Sequence, residues 1–239
     1  MRSVWLYILG GTLVSFQSCN VQKSNSLQKN EYGLEVITSS TFYKNTVEKD
    51  TTKRLVRLSD YISPFLVDWK YASADNFTKT VLYDDPVAYL RIEAAEALQK
   101  VQKELNKQNL GIKIFDAYRP YNVTKKMWQV VPDDRYAANP AKGSGHNRGA
   151  AVDLTLIDLT TNKEIGMPTA FDDFTEKAHH TYTDLSEKIL ANRNLLRSTM
   201  EKYGFVALET EWWHYYLPNA AQRFELLDLD FKTLKQLIR

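Results

Sequence analysis

Cysteine is almost missing from this chain: there is one, Cys19, in 239 residues. A single thiol excludes an intramolecular disulfide framework and any zinc ribbon built on thiolates. Histidine is scarce as well, with four residues, so each can be weighed on its own. Neither sign of charge dominates. Thirty-one Lys and Arg stand against 29 Asp and Glu, interspersed along the chain, for a net charge of +2. That balance excludes the basic stripe of a nucleic-acid binder and the acidic excess of a disordered, solvating chain. What is present is 44% hydrophobic and 12% aromatic residues, enough for one ordinary globular domain or at most two small ones.

The first residues read as an export signal. Met1 and Arg2 precede an apolar run from Val4 to Phe16, about the length of a signal-peptide hydrophobic region and short for a membrane span. The run ends at Gln17-Ser18-Cys19, with the small Ser18 just before the lone cysteine, where a bacterial lipoprotein signal is cut and lipidated. The expectation is a signal peptide of lipoprotein type over 1–19, and a protein exported to the periplasm or anchored to an envelope membrane through lipidated Cys19. Asn20 to Lys53 is dominated by polar residues and reads as a tether, which leaves 54–239 as the folded domain. No internal repeat is visible.

Within the domain, Leu55 to Tyr71 is rich in β-branched and aromatic residues and reads as an approach strand bent near Pro64. Asp84-Asp85-Pro86 predicts a helix start, with acidic residues at the positive end of the dipole. Leu90, Ala94, Leu98, Val101 and Leu105 continue it at amphipathic spacing, and Gly111 is the expected stop. A strand over 112–115, a helix over 122–131, a strand over 150–157 and a long helix over 184–203 follow, the last ended by Gly204. Residues 205–208 and 212–217 read as a hairpin. Helices and strands mix without regular βαβ alternation, so the expected class is α+β, a small mixed or antiparallel sheet with flanking helices.

Four clusters carry chemistry. In Ser144-Gly-His146-Asn-Arg-Gly149-Ala-Ala-Val-Asp153, a loop bearing His146 can fold back on a strand bearing Asp153, and both side chains are good zinc ligands. Taken alone, a turn aspartate and a surface histidine explain the same residues. In Glu211-Trp-Trp-His214, a carboxylate and an imidazole three apart can face one site from a tight turn, with the tryptophans walling it. Alone, a Trp-rich core strand with a satisfied histidine is the ordinary reading. Together the clusters supply His146, Asp153 and His214, three ligands that leave a fourth position open, with Glu211 beside them as a general base. The third cluster, Asp116-Ala-Tyr118-Arg119-Pro120, offers a fixed guanidinium for a developing oxyanion, or an Arg119–Asp116 pair that pins the turn, or both. The fourth is Phe171-Asp172-Asp173-Phe174 with His179-His180. Adjacent histidines point apart on any regular element, so that pair reads as structural or as support for the site.

These residues, in this order, resemble the zinc D-alanyl-D-alanine dipeptidases of the vancomycin-resistance type, within the wider D-Ala-D-Ala metallopeptidase group that shares a fold with the zinc domain of Hedgehog proteins. The matching pieces add Val67-Asp-Trp-Lys-Tyr71-Ala and Asp75-Asn-Phe77 to the clusters above and span about 66 to 217. The resemblance implies one zinc per chain held by His146, Asp153 and His214. It implies Glu211 as base and then acid, and Arg119, oriented by Asp116, as the oxyanion stabiliser. Tyr71, Ser144 and Asp172 are implied as substrate-binding residues, Asp172 for a free ammonium. The implied substrate is a small D,D-dipeptide, with cell-wall fragment turnover as the expected role for an exported enzyme. Two alternatives stand beside it: a D,D-carboxypeptidase trimming stem peptides, and a non-catalytic wall-binding lipoprotein. The segment 20–53 has no counterpart in the resemblance.

Overall fold

The computed structural model describes Leu27 and residues 29–238. The expected signal peptide over 1–19 and Cys19 lie outside the described residues. Among the described residues, no helix is long and apolar enough to cross a membrane.

The chain runs β1 (Val36–Ile37), α1 (Ser40–Lys49), β2 (Leu55–Arg57), β3 (Leu66–Val67), β4 (Tyr89–Arg91), α2 (Ile92–Asn106), β5 (Leu110–Asp116) and α3 (Tyr121–Val130). It continues with β6 (Ala151–Asp158), β7 (Lys163–Glu164), α4 (Glu187–Lys202), β8 (Val206–Ala207), β9 (His214–Tyr216), α5 (Ala220–Arg223), β10 (Leu226–Leu227) and α6 (Phe231–Leu237). The main sheet has the order β3-β5-β6-β9-β8, with β7 paired to β6. β3 joins β5 in parallel and every other pairing in that sheet is antiparallel. The α+β class and the mixed sheet expected from the sequence are both found.

The central strand β6 is buried on both faces. Val152, Leu154 and Leu156 share one core with Ala94, Leu98 and Val101 of α2 and Leu196 and Met200 of α4. Strand alternation then turns Asp153 to the opposite face. The fully buried Ala94, Leu98, Val101 and Leu105 confirm the amphipathic register of α2. α4 is capped by Ser186, whose side chain accepts from the Ile189 N–H, and ends before Gly204 at φ +93°.

Four local expectations need correction. The helix expected from Asp84-Asp85-Pro86 is α2, and it begins at Ile92, not near Pro86, because Tyr89–Arg91 is held extended by pairing with Leu55–Arg57. Asp85, at φ +49°, is a turn residue and not a first-turn acid. The left-handed residue after α2 is Asn109, at φ +57°. Gly111 instead lies in β5, where a Cβ would come within 2.6 Å of the Leu159 side chain. The run 55–71 is not one strand. It splits into β2 and β3, which join different sheets, as expected of a run interrupted by a proline that cannot donate to a ladder.

The fourth correction concerns the tether. In its described part, 20–53 is folded onto the domain. Ile37 is fully buried and pairs with Leu227, and α1 starts at a Ser39 cap. Tyr43 is buried, and its hydroxyl accepts the N–H of Leu55 at 2.8 Å. Asn30 donates to the Tyr121 hydroxyl, which donates to the carbonyl of Pro140. The polar composition misleads because a few apolar anchors, Ile37 and Tyr43 above all, are sufficient to dock the segment. We expect Tyr43→Phe to destabilise the protein by about 1–3 kcal/mol, since it leaves the buried Leu55 N–H without an acceptor. Urea unfolding of the two proteins measures this, and equal midpoints would contradict the docking.

His180 gives a second expectation. It is buried on the far side of the sheet, its ring 6.3 Å from that of Tyr215, and neither ring nitrogen has a hydrogen-bond partner. Burial, reinforced by the nearby Arg197 cation, pushes it down from 6.5 to about 4. Between those values the unfolded chain binds a proton that the folded chain refuses, so stability falls as pH falls. The urea midpoint should drop from pH 6.5 to 4, and His180→Gln should make that drop shallower. An unchanged slope would show that His180 does not contribute.

Candidate active site

Three neighbouring strands bring the acidic and basic groups together. Asp116 of β5 is in register with Asp153 of β6, and Asp153 with His214 of β9. The β5–β6 register shifts between Ile114 and Asp116, a bulge that re-aims the end of β5. His146 arrives from a single turn of 3₁₀ helix, 146–148, closed by Gly149 at φ +66°. A Cβ on Gly149 would stand 2.4 Å from the Leu55 side chain, so the turn needs glycine for both its backbone and its packing.

The three side chains converge, each offering one ligand atom within 4.8 Å of the others. His146 Nε2 is 3.3 Å from Asp153 Oδ2, His214 Nδ1 is 2.9 Å from Asp153 Oδ1, and the two imidazole nitrogens are 3.2 Å apart. Tetrahedral zinc with bonds of about 2.0–2.1 Å separates its ligands by roughly 3.3 Å. Asp153 Oδ1 is buried and takes no hydrogen bond, although His214 Nδ1 is so near. His146 Nδ1 is 2.7 Å from the Ala117 carbonyl, which fixes the tautomer that leaves Nε2 free as a ligand. The donor set therefore fits zinc, with one coordination position left for water or substrate. Among the described residues, this is the group of His, Cys, Asp and Glu that could hold a metal ion.

Around this centre the charges are enclosed. Burial pushes the Asp153 carboxyl up, but His146 and His214 together outweigh it and hold it below the ordinary carboxylate range. Glu211 sits in the turn before β9, its N–H bonded to the Leu208 carbonyl, with Oε2 3.8 Å from His214 Nδ1. Burial pushes Glu211 up to about 8, and His214 opposes the rise. A cation on the three donors would draw it down again. Asp172 is likewise pushed up, to about 7, by burial and then by Asp153. The Tyr71 hydroxyl reaches both Asp172 oxygens, at 3.0 and 3.1 Å.

Arg119 donates through Nε and Nη2 to Asp116 Oδ2, at 2.9 and 2.7 Å, and its Nη2 lies 4.0 Å from Asp153 Oδ2. Burial works against this cation, and Asp116 with Tyr83 and Tyr71 outweighs it. Arg119 is thus both pinned by Asp116 and turned toward the metal centre. Ser144 lines the same cavity, and its Oγ accepts the His146 N–H at 3.1 Å. Every site residue expected from the sequence except Asp116 lines one cavity of about 230 Å³; Asp116 stands behind it, holding Arg119.

The tryptophan expectation is half right. Trp213 lines the cavity, whereas Trp212 is buried elsewhere and donates from its indole to Thr169 Oγ1. Their rings are 87° apart, as adjacent side chains leaving one chain in different directions. Sequence reasoning also missed two supporting residues. Tyr83 donates to Asp116 Oδ1 at 2.8 Å, completing the chain Tyr83–Asp116–Arg119. Asn147, fully buried, donates to the Arg119 carbonyl and to Thr124 Oγ1 and accepts the Ser144 N–H, so it ties the histidine loop to the arginine turn. A polar residue between His146 and Gly149 was a signal for Asn147. Nothing local marked Tyr83. The pair His179-His180 stands outside the metal-ligand group, as expected.

The sequence profile of the D-ala-D-ala dipeptidase family (Peptidase_M15) matches residues 51–233. A D-alanyl-D-alanine dipeptidase of Escherichia coli (strain K12) is 37% identical over 172 residues, 72% of this chain and 88% of that protein. A D-alanyl-D-alanine dipeptidase of Enterococcus faecium is 34% identical over 170 residues, 63% of this chain and 84% of that protein. Among solved structures, a mutant of the vancomycin-resistance D,D-pentapeptidase VanY in complex with Zn(II) matches with a TM-score of 0.37 and 12% identity, over 59% of this chain and 80% of that one. With the profile covering its whole site and most of its length, this chain belongs to the D-Ala-D-Ala dipeptidase family of peptidases.

Proposed function

We propose that the protein hydrolyses the dipeptide D-Ala-D-Ala to two D-alanines at this centre. The observation that carries the reading is the open three-donor set placed in one small cavity with Glu211, Arg119 and the enclosed Asp172. A structural zinc site needs neither a neighbouring base nor an oxyanion donor and fills its fourth position. The family profile and the names of the relatives support the same reaction.

Held by His146, Asp153 and His214, a zinc ion would supply Lewis acidity, making water a stronger acid and the peptide carbonyl more electrophilic. Glu211 takes a proton from the attacking water as its oxygen bonds to the carbonyl carbon. As the C–N bond breaks, Glu211 returns that proton to the leaving amine nitrogen. Its position, lining the cavity beside His214, suits both tasks. Arg119 faces the negative charge that grows on the carbonyl oxygen, and Asp116 and Tyr83 keep its guanidinium from turning away. Asp172 and Tyr71 receive the substrate ammonium. A carboxylate enclosed without a cation is costly, so the site favours a positively charged amine over a neutral amide. Ser144 Oγ, already accepting from His146, keeps its own hydrogen for a substrate carboxylate.

We also propose that the enzyme acts outside the cytoplasm, on wall fragments, with Cys19 as its lipid attachment point. The apolar run 4–16 ending at Ser18-Cys19 supports this. Fractionation of cells producing the full chain should place it with envelope membranes, and recovery in the cytosol would refute export.

Chemistry is tested by pairing two variants. Glu211→Gln should retain one zinc per chain and lose turnover of D-Ala-D-Ala, whereas His214→Ala should lose both. Arg119→Ala should lower kcat on the order of 10²–10³-fold. The wild-type protein should release D-alanine from the free dipeptide, fail with chelator and fail on N-acetyl-D-Ala-D-Ala. Cleavage of both substrates would place it with the carboxypeptidases. Cleavage of neither, with zinc bound, would make it a binding protein.

A further inference from the structure

The outer wall of the cavity is aromatic and comes from three separate stretches of chain. Tyr136, in the loop 131–143, stacks on Phe174 with ring centroids 4.9 Å apart and planes 29° apart. Phe174 meets Phe77 edge-on at 5.3 Å, and Phe77 meets Tyr71 at 6.2 Å. Tyr71 carries the hydroxyl bonded to Asp172. A continuous line of rings thus runs from the carboxylate that receives the amine to the loop on the rim. Tyr71, Phe77, Tyr136 and Asp172 all line the cavity that contains the metal donors.

The short segment 171–174 divides the work. Phe171 faces inward, stacked on Phe115 at 4.6 Å and edge-on to Trp213 at 5.5 Å. Asp172, at φ +59°, turns the backbone so that its carboxylate enters the cavity. Phe174 faces outward to Tyr136. The loop that carries Tyr136 is largely bonded to itself. The N–H groups of Tyr136 and Ala137 donate to the Asp133 carbonyl, Arg135 grips the Asp133 carboxylate, and Lys142 pairs with Asp134. Its far end is held where Tyr121 donates to the Pro140 carbonyl. The stack on Phe174 joins the turn to the opposite rim. At about 230 Å³ the enclosed space is below the roughly 300–1,000 Å³ of pockets for drug-sized ligands.

We propose that Tyr136 and Phe77, which line the cavity and are both braced by packing on Phe174, form the length-selecting wall of the site. It closes the cavity beyond the amine subsite, so any acyl extension on the substrate amine collides with rigid rings. This rests on the dipeptidase reading above and adds a steric filter to the charge filter of Asp172. The two filters are separable, because truncating Tyr136 opens the wall and leaves the Asp172 carboxylate and its Tyr71 partner in place.

The test compares kcat/KM for D-Ala-D-Ala and N-acetyl-D-Ala-D-Ala in zinc-loaded wild type, Tyr136→Ala, Phe174→Ala and Tyr136→Phe. Tyr136 is partly exposed on a surface loop, so its truncation spares the core. The alanine variants should raise the acylated-to-free ratio on the order of tenfold or more, the scale on which a pocket discriminates small groups. Tyr136→Phe preserves the stack and should keep the wild-type ratio. If Tyr136→Ala binds zinc and cleaves the free dipeptide with an unchanged ratio, the wall is refuted while the dipeptidase reading stands. If wild type cleaves both substrates, or neither, that reading fails and the wall fails with it. A gain equally large in Tyr136→Phe would also refute the stack as the selecting element.

Discussion

Asp153 lies 3% exposed on the central strand of the main sheet, and its charge has to be met from the strands and loops around it. β5 brings Asp116 alongside in register, a second carboxylate that would repel it. Arg119, bonded to Asp116 and 4.0 Å from Asp153, spans the two. His214 on the other neighbouring strand and His146 from the 3₁₀ turn complete the enclosure, and the resulting cluster of lone pairs calls for a cation. The turn at Gly149, the bulge in β5 and the cross-ties of Asn147 all serve to deliver those partners to one point.

The same enclosure gives the remaining carboxylates their properties. Glu211 and Asp172 have weak screening and raised proton affinity, each chiefly from burial. In open water two such groups would be ordinary solvated anions. Here both hold their protons to higher pH than a solvated carboxylate does, the kind of shift that clusters at functional sites. The rings that line the cavity, Tyr71, Phe77, Tyr136 and Trp213, exclude water from it and are therefore part of the electrostatics as well as of the shape.

The residues before the family match at 51 extend this framework. Ile37 and Tyr43 enter a second core with Tyr71, Tyr83 and Tyr118, the tyrosine-rich layer beneath the substrate side of the site. Asn30 reaches Tyr121, whose hydroxyl holds the Pro140 end of the rim loop. A segment of polar composition thus packs against the elements that shape the cavity.

The amino-acid sequence by itself determined which side chains are candidates for the site and much of the local structure. His146, Asp153, Glu211 and His214 stand out because few residue types bind zinc or move protons, and because the chain has so few histidines. The amphipathic face of α2, the long helix ending at Gly204 and the strand carrying Asp153 follow from periodicity and caps, which act over a few residues. Tertiary structure decided the rest. It held Tyr89–Arg91 extended where helix spacing alone suggested otherwise, and it docked residues 29–53 through a handful of apolar contacts. It sent Trp213 to the cavity and Trp212 away, made Tyr83 the support of Asp116, and stacked Tyr136 on Phe174. Those outcomes join residues tens of positions apart, where strand register and packing choose the neighbours and local propensity carries no information about them.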